Sequence, residues 1–305
     1  MSPVKVPKRR TCAHMVVHEL LVETHPEYRQ RRLDAEEETR TSIDSGRAMR
    51  VTAKLITIPV VVHVVHRTGE ENISDTQVKS QIDALNRDFR LKNADKSKIP
   101  AAWKGLAVDS NIEFVLATKD PAGKKTIGIT RTATKVDSFG VHDEVKSSKT
   151  GGADPWPTDR YLNFWSCNLG EGLLGYAQFP GGPTKTDGVV ILFRAFGTTG
   201  AVKAPFNKGR TATHEVGHFL GLRHIWGDMN DCTGNDFVAD TPRARASNFG
   251  KPKFPHITCN NGPNGDMFMN YMDYVDDAAM VMFTAGQVAR MNATLAGPRK
   301  KLAGL

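Results

Sequence analysis

The stretch "TATHEVGHFLGLRHIWGD", residues 211–228, sets three histidines, His214, His218 and His224, at offsets of four and then six residues. On an α-helix, residues four apart stand one above the other. His214 and His218 therefore present two imidazoles to one point. A helix continued to His224 would carry the third ring roughly 600° round from His218, about 120° off that face. The helix must break first. Gly221 can adopt the left-handed conformation that ends a helix and turns the chain back, so it acts as the hinge that brings His224 to the same point. Three imidazoles with an open fourth position suit catalytic zinc. Glu215 lies beside the pair, where a carboxylate can take a proton from water at the metal.

The rest of the chain gives this site a setting. Of 305 residues, 39% are hydrophobic and 24% charged, an ordinary globular composition with no apolar run long enough for a membrane span. The net charge of +8 comes from scattered Lys and Arg with acids among them, which reads as a solvated basic surface rather than a nucleic-acid stripe. The four cysteines form no CxxC pair and are too few for a disulfide scaffold, although one or two bridges stay open. The basic N-terminus has no apolar core ahead of a cleavage site, so the sequence leaves the export route open.

Residues 1–50 differ in character from the remainder. "VVHELLVETHPEYRQRRLDAEEETR" is charge-dense and fits short helices on Val17, Leu20 and Leu21, with His14 and His18 on a helical surface. "TSIDSGRAMR" reads as an exposed linker open to nicking. From Lys54, "KLITIPVVVHVVH" predicts a buried central strand. A helix capped at Ser74 or Asp75 comes next, on Val78, Ile82, Leu85 and Phe89. "NIEFVLATKD", "RYLNFWSCNL", "LLGYAQFPGG" and "TDGVVILFRAFG" predict further strands. The zinc helix comes after them, then an irregular segment from Gly227 to Asp266, and a last helix capped by Thr284. This order predicts an α+β (α/β-like) fold with a mixed sheet.

"NYMDY" lies 48 residues after His224 and contains Met272 and Tyr274. The extended pattern HExxHxxGxxH with a later methionine turn is the metzincin signature. Met272 takes the place of that methionine, and Tyr274 is positioned to stabilise an oxyanion. Together "HEVGHFLGLRHIWGD", "FVADTP", "LLGYAQFPGG" and "NYMDYVDD" make a chain that resembles the pappalysin family of metzincins, particularly its small microbial members, over about residues 10–300. The resemblance implies a zinc endopeptidase made as a self-activating zymogen. It also implies a metzincin catalytic domain with a twisted mixed sheet. Residues 1–50 would form the pro-segment. Residues 51–305 would form the catalytic domain, its upper subdomain ending near 221 and its long irregular lower subdomain coming after.

Further expectations come from the same resemblance. Cys12, in "RRTCAHM", would occupy the open zinc position in the latent form, since a thiolate there displaces water. Asp236, Asp240 and Thr241 would hold a structural calcium, in a spacing unlike an EF-hand. Cys232 and Cys259 would form a disulfide worth about 3 kcal/mol in the chain-entropy estimate. Lys251 and Ala279 stand where relatives carry a second bridge, and Cys167 reads as a buried free thiol. Peptides would add to the edge offered by residues 172–179. Cleavage would fall before arginine (or lysine), with Asp276 and Asp277 as candidate pocket acids beside Ala278 and the Met49–Arg50 bond as the first internal target. The partners would be protein or peptide substrates, without nucleic acid or membrane, for a secreted monomer. A binding module with structural zinc would have no use for Glu215, and a small-amide hydrolase none for the peptide edge.

Overall fold

The computed structural model describes residues 6–47, 54–170 and 172–305. The Met49–Arg50 bond lies outside the described residues. The β-branched run becomes strand β1 (Ile56–His66), buried along most of its length. It is central because it is paired on both sides. Strands β2 (Ile112–Leu116) and β3 (Ile129–Ala133) line one side in turn, and β4 (Leu162–Cys167) takes the other, all parallel. The sheet continues through β6 (Val189–Leu192), parallel to β4, and ends at β5 (Gly175–Ala177), which is antiparallel to β6. Strand β3 is an addition to the expected set: "ITRTA" is partly exposed along its whole length and carries no apolar signal.

Two helices flank the N-terminal side of the chain, α1 (His14–Thr24) and α2 (Pro26–Asp44). At 19 residues α2 is longer than the short helices expected. Proline at its first turn and the pairs Glu27–Arg31, Arg32–Glu36 and Arg40–Asp44 at i,i+4 support that length. Helix α3 (Asp75–Phe89) starts where Ser74 Oγ accepts the Gln77 N–H at 3.1 Å, a cap worth about 1 kcal/mol. It buries Val78, Ile82, Leu85 and Phe89 against the sheet. A single turn, α4 (Ala101–Lys104), precedes β2. The zinc helix is α5 (Arg210–Phe219), and α6 (Ala285–Ala296) opens with the predicted cap, Thr284 and Gln287 bonding reciprocally.

Between α5 and α6 no named helix or strand occurs among the described residues. The segment is packed nonetheless. Met267, Met269, Tyr271, Met272, Val275, Met280 and Met282 are buried in the main core. The Cys232–Cys259 disulfide closes the loop over 27 residues, worth about 3–4 kcal/mol by loop entropy. Where a second bridge is missing, backbone pairing substitutes: Gly250 pairs with Val275, and the Asp276 N–H donates to Gly250 O at 2.9 Å. The expected mixed sheet, active-site helix and long irregular segment after it are thus the ones found.

Candidate active site

Helix α5 is buried throughout, and it ends in a Schellman arrangement. The Gly221 N–H donates to His218 O and the Leu222 N–H to Gly217 O, both at 2.9 Å, with Gly221 at φ +90°. A β-carbon on Gly221 would also meet Thr294 Oγ1 at 2.8 Å. The hinge therefore requires glycine twice over. Beyond it, His224 turns back as expected. The Nε2 atoms of His214 and His218 lie 3.1 Å apart, those of His218 and His224 3.1 Å, and those of His224 and His214 3.3 Å.

Each of these rings has its other nitrogen committed. His214 Nδ1 faces Tyr271 O at 2.7 Å, His218 Nδ1 faces Leu222 O at 2.8 Å, and His224 Nδ1 contacts the Asp228 carboxylate. Those acceptors fix the protons on Nδ1 and leave three Nε2 lone pairs converging on one point. Burial, and then the neighbouring imidazoles, push His214 and His218 well below the ordinary histidine range, so they stay neutral. Three buried acceptors facing one another are unfavourable without a cation. Their spacing is that of tetrahedral corners around zinc at about 2.0–2.1 Å. The residues fit the metal.

Cys12 completes the group, its Sγ within 4.8 Å of the three ring nitrogens. It donates to Glu215 Oε2 at 3.3 Å and accepts from the His14 N–H at 3.4 Å. Burial pushes the thiol up, with the Glu215 charge adding to the effect; a divalent cation at the imidazoles would act the other way. Glu215 is raised to about 8 by burial, against the pull of Cys12 and Arg10. Tyr274 donates its hydroxyl to Cys12 O at 3.3 Å. Met272 lies fully buried under α5, and a β-carbon on Gly217 would meet its Sδ at 2.4 Å. The glycine between the two helix histidines is what admits the methionine. Gly175 in β5 does the same for the base, since a β-carbon there would meet Glu215 Cγ at 3.1 Å.

The candidate pocket acids separate. Asp277 is fully buried, and Arg10 Nη2 donates to its Oδ1 at 2.6 Å. Asp277 Oδ2 accepts the Lys208 N–H at 2.7 Å, while Arg10 also reaches Thr211 Oγ1 and Val275 O. Asp276 is half-buried and has no such partner in the described residues. The predicted peptide edge is occupied by the N-terminal segment: the Leu174 N–H donates to Thr11 O at 3.0 Å and the Ala13 N–H to Gly175 O at 3.1 Å. Cys167 is buried and free, as expected.

Other residues depart from their expected places. His14 is not on a solvated surface. It is buried, stacks on the His218 ring at 3.9 Å and bonds Ala177 O at 2.9 Å, because the chain after Cys12 is pressed along β5. In the loop expected to hold calcium, Thr241 Oγ1 donates to Asp236 Oδ2 at 2.7 Å and faces Val238 O at 2.9 Å. Asp240 is directed elsewhere. Its oxygens accept from Thr284 Oγ1 at 2.7 Å and the Gly286 N–H at 2.8 Å, at the N-terminus of α6. Asp228 and Arg10 escaped sequence reasoning, although Asp228 stands four residues after His224 and Arg10 two before Cys12.

The comparisons agree with this geometry. Residues 146–296 match the family model Peptidase_M43, described as pregnancy-associated plasma protein-A. The chain is 32% identical over 249 residues to an extracellular metalloprotease of Arthroderma otae, covering 77% of this chain and 76% of that protein. It is 33% identical over 251 residues to one of Pyricularia oryzae, covering 79% and 75%. A promirolysin mutant of Tannerella forsythia superimposes with a TM-score of 0.88 at 49% identity, over 96% of this chain and 97% of that one. Mature mirolysin, solved with a cleaved peptide, gives 0.80 at 53% identity over 82% and 96%. With the zinc triangle, the glycine hinge and the buried methionine in place, the chain belongs to the pappalysin family of zinc metalloproteases.

Proposed function

We propose that this metalloendopeptidase is made latent, removes its own N-terminal segment of about 50 residues, and then cuts proteins before arginine or lysine. One observation carries the reading. Arg10 is paired with buried Asp277 while Cys12, two residues on, stands against the zinc ligands and Glu215. The segment thus fills the site with an arginine of its own. An arginine entering that pocket needs a carboxylate partner, since an unpaired buried charge is costly. The mature relative spans a smaller share of this chain than the pro-form does, as removal of such a segment would require.

His214, His218 and His224 would hold the zinc, whose Lewis acidity acidifies water and polarises a carbonyl. Glu215, freed of Cys12, takes the proton of the attacking water and passes it to the leaving amine. Tyr274, freed of Cys12 O, turns its hydroxyl to the developing oxyanion. The Leu174 N–H and Gly175 O, freed of Thr11 and Ala13, hold the peptide backbone in extended form. Asp228 keeps His224 in the tautomer that ligates. Met272 supports the two helix histidines from below.

Asp236 and Thr241, with Val238 O, are proposed to take a calcium ion. Asp236 is buried and raised to about 6 by that burial, against hydrogen bonds from Thr241 and the Val238 N–H and the charge of Arg290, so a closer cation would relieve it. Export is supported by the disulfide and by extracellular relatives. No described helix is long and apolar enough to cross a membrane. The reading is of a monomer acting on peptides or proteins, with no role for nucleic acid.

The test is mass spectrometry of the full chain incubated with zinc and calcium, followed by a peptide library. Expected are loss of the N-terminal segment, cuts before basic residues, and loss of that preference in Asp277→Ala. A parent enzyme indifferent to the residue after the cut would sink the specificity reading. A segment retained by an active enzyme would sink the latency reading.

A further inference from the structure

A second pairing crosses between the N-terminal segment and the rest of the chain. Glu36 of α2 meets Arg290 of α6 in a bidentate fork, Oε1 to Nη1 at 2.8 Å and Oε2 to Nη2 at 2.9 Å. Arg290 is 4% exposed, and Glu36 is its ion-pair partner among the described residues. Its Nη2 also donates to Gly221 O, the hinge carbonyl, at 3.3 Å. Arg223, next to the ligand His224, lines the same 660 Å³ cavity as Glu36 and lies over the Phe237 ring at 4.8 Å. The Nε atoms of Arg223 and Arg290 are buried with no hydrogen-bond partner.

Removal of α2 takes away Glu36, and with it Arg32, which lies 3.8 Å from the same carboxylate. Arg290 then loses its direct ion pair, and the carboxylates still near the two arginines, Asp228 and Asp236, act only at a distance. Asp228 is engaged by His224, and Asp236 by Thr241. Gly221 O keeps the Arg290 fork aimed, and Phe237 steadies Arg223. The position relative to the cleft is set by the path of the segment. Arg10 lies in the Asp277 pocket and Cys12 at the imidazoles. The chain then runs along β5, with His14 on Ala177 O, Arg32 on Pro180 O and Arg31 on Gly181 O. Because the imidazoles lie after Arg10 along the segment, whereas the bond cut before a substrate's arginine precedes it, such a substrate runs opposite to the segment and its preceding residues take the side where α2 now lies.

We propose that Arg223 and Arg290 form an anion-accepting subsite of the activated enzyme. It takes a carboxylate side chain of the substrate on the side before the scissile bond, and Glu36 holds that place in the latent chain. This rests on the N-terminal segment being released.

The test uses enzyme activated from the full chain. Peptides that differ only by Glu or Gln at each position before the cut are compared by kcat/KM. One position should favour Glu by about three- to tenfold at low salt, less at high salt. The ratio should fall to about one in Arg290→Gln and decline in Arg223→Gln. Arg223→Glu should favour Lys at that position. Should Arg290→Gln not fold, the two variants at half-exposed Arg223 decide. A ratio of one throughout the parent enzyme, or a ratio unchanged by the variants, overturns the subsite while leaving latency intact. Intact mass reads the release independently, and a segment that stays attached overturns both.

Discussion

Helix α5 carries two of the imidazoles and Glu215, helix α2 belongs to the segment that covers them, and the two are held in opposite ways. All ten residues of α5 are buried, fixed between the sheet, α3 and the Met272 turn. In the 19-residue α2, only Tyr28, Arg32, Ala35, Thr39 and Ser42 are buried. The N-terminal segment is attached by a narrow apolar face, Ala13, Val17, Leu21 and Tyr28, and by discrete anchors: Arg10 on Asp277, Cys12 beside the imidazoles, His14 on His218 and Glu36 on Arg290. An element buried on every side cannot leave without unfolding the domain, whereas one held by a narrow apolar face and a few polar anchors can. The contrast suits a permanent site under a removable cover.

The largest effect should come from breaking the permanent side. Glu215→Ala removes the base and leaves the imidazoles and their Tyr271, Leu222 and Asp228 partners untouched. Peptidase activity should fall on the order of 10²–10⁴-fold or more, with zinc retained by metal analysis. That protein should also keep its N-terminal segment. Activity within tenfold of the parent enzyme would remove Glu215 from the mechanism.

The next effect tests the removable side. Cys12→Ala and Arg10→Ala each delete one anchor. If an anchor contributes about 1–2 kcal/mol to docking, self-processing should quicken by roughly 5- to 30-fold. Time courses of intact mass would show it. Unchanged latency in both variants would mean that α1 and α2 block the cleft by bulk alone.

The two regions also differ in how far the sequence exposes them. The zinc triangle can be read because helix geometry fixes where His214 and His218 point and because His224 needs a break that Gly221 alone supplies. The strands β1, β4 and β6 can be read from β-branched and aromatic runs. Strand β3 cannot, since a partly exposed "ITRTA" has no buried face to report and its place is decided by the half of β1 that β2 leaves free. The anchors of the N-terminal segment lie more than 200 residues from their partners, so no local periodicity reports Arg10 with Asp277. His14 resembles a surface residue because one helix seen alone does not show what presses on it. The family resemblance implies Asp240 as a calcium ligand, and only the return of α6 shows that its oxygens meet a helix N-terminus.

The permanent region has its own weak point in the irregular half. Asp273 stands next to Met272, is fully buried, and accepts from the Asn248 N–H, Asn248 Nδ2 and the Tyr274 N–H at 2.7–2.8 Å. Burial raises it to about 7, and Asp266, which shares Asn248 Nδ2, adds to the rise. The folded value exceeds the unfolded value of about 3.9. The folded state therefore favours the protonated acid. Stability is fullest below the unfolded value and is lost as pH rises through about 7. Because other groups titrate in the same range, the measurement is the difference between parent and Asp273→Asn in denaturant midpoint. That difference should move against the parent from pH 4 to 7 and level off above it. A flat difference would show that the three N–H donors fully compensate the charge.

The smallest effect separates two neighbouring aspartates. Asp240 bonds Thr284 Oγ1 and the Gly286 N–H, so it acts on α6, where a carboxylate at a helix N-terminus also meets a favourable dipole. Asp240→Ala should cost about 1 kcal/mol, or roughly 2–4 °C in Tm for a domain of this size. That cost should be equal with calcium and with a chelator. Asp236 bonds Thr241 and the Val238 N–H inside the loop itself. If calcium is held there, Asp236→Ala should erase the Tm increment that calcium gives the parent, by mass action on the folded state. Paired melts of the two variants, each with and without calcium, make the comparison. Loss of the increment in Asp240→Ala would return that residue to the ligand set. An increment that survives in Asp236→Ala would move the calcium away from this loop, and no increment in the parent would remove calcium from the protein's stability altogether.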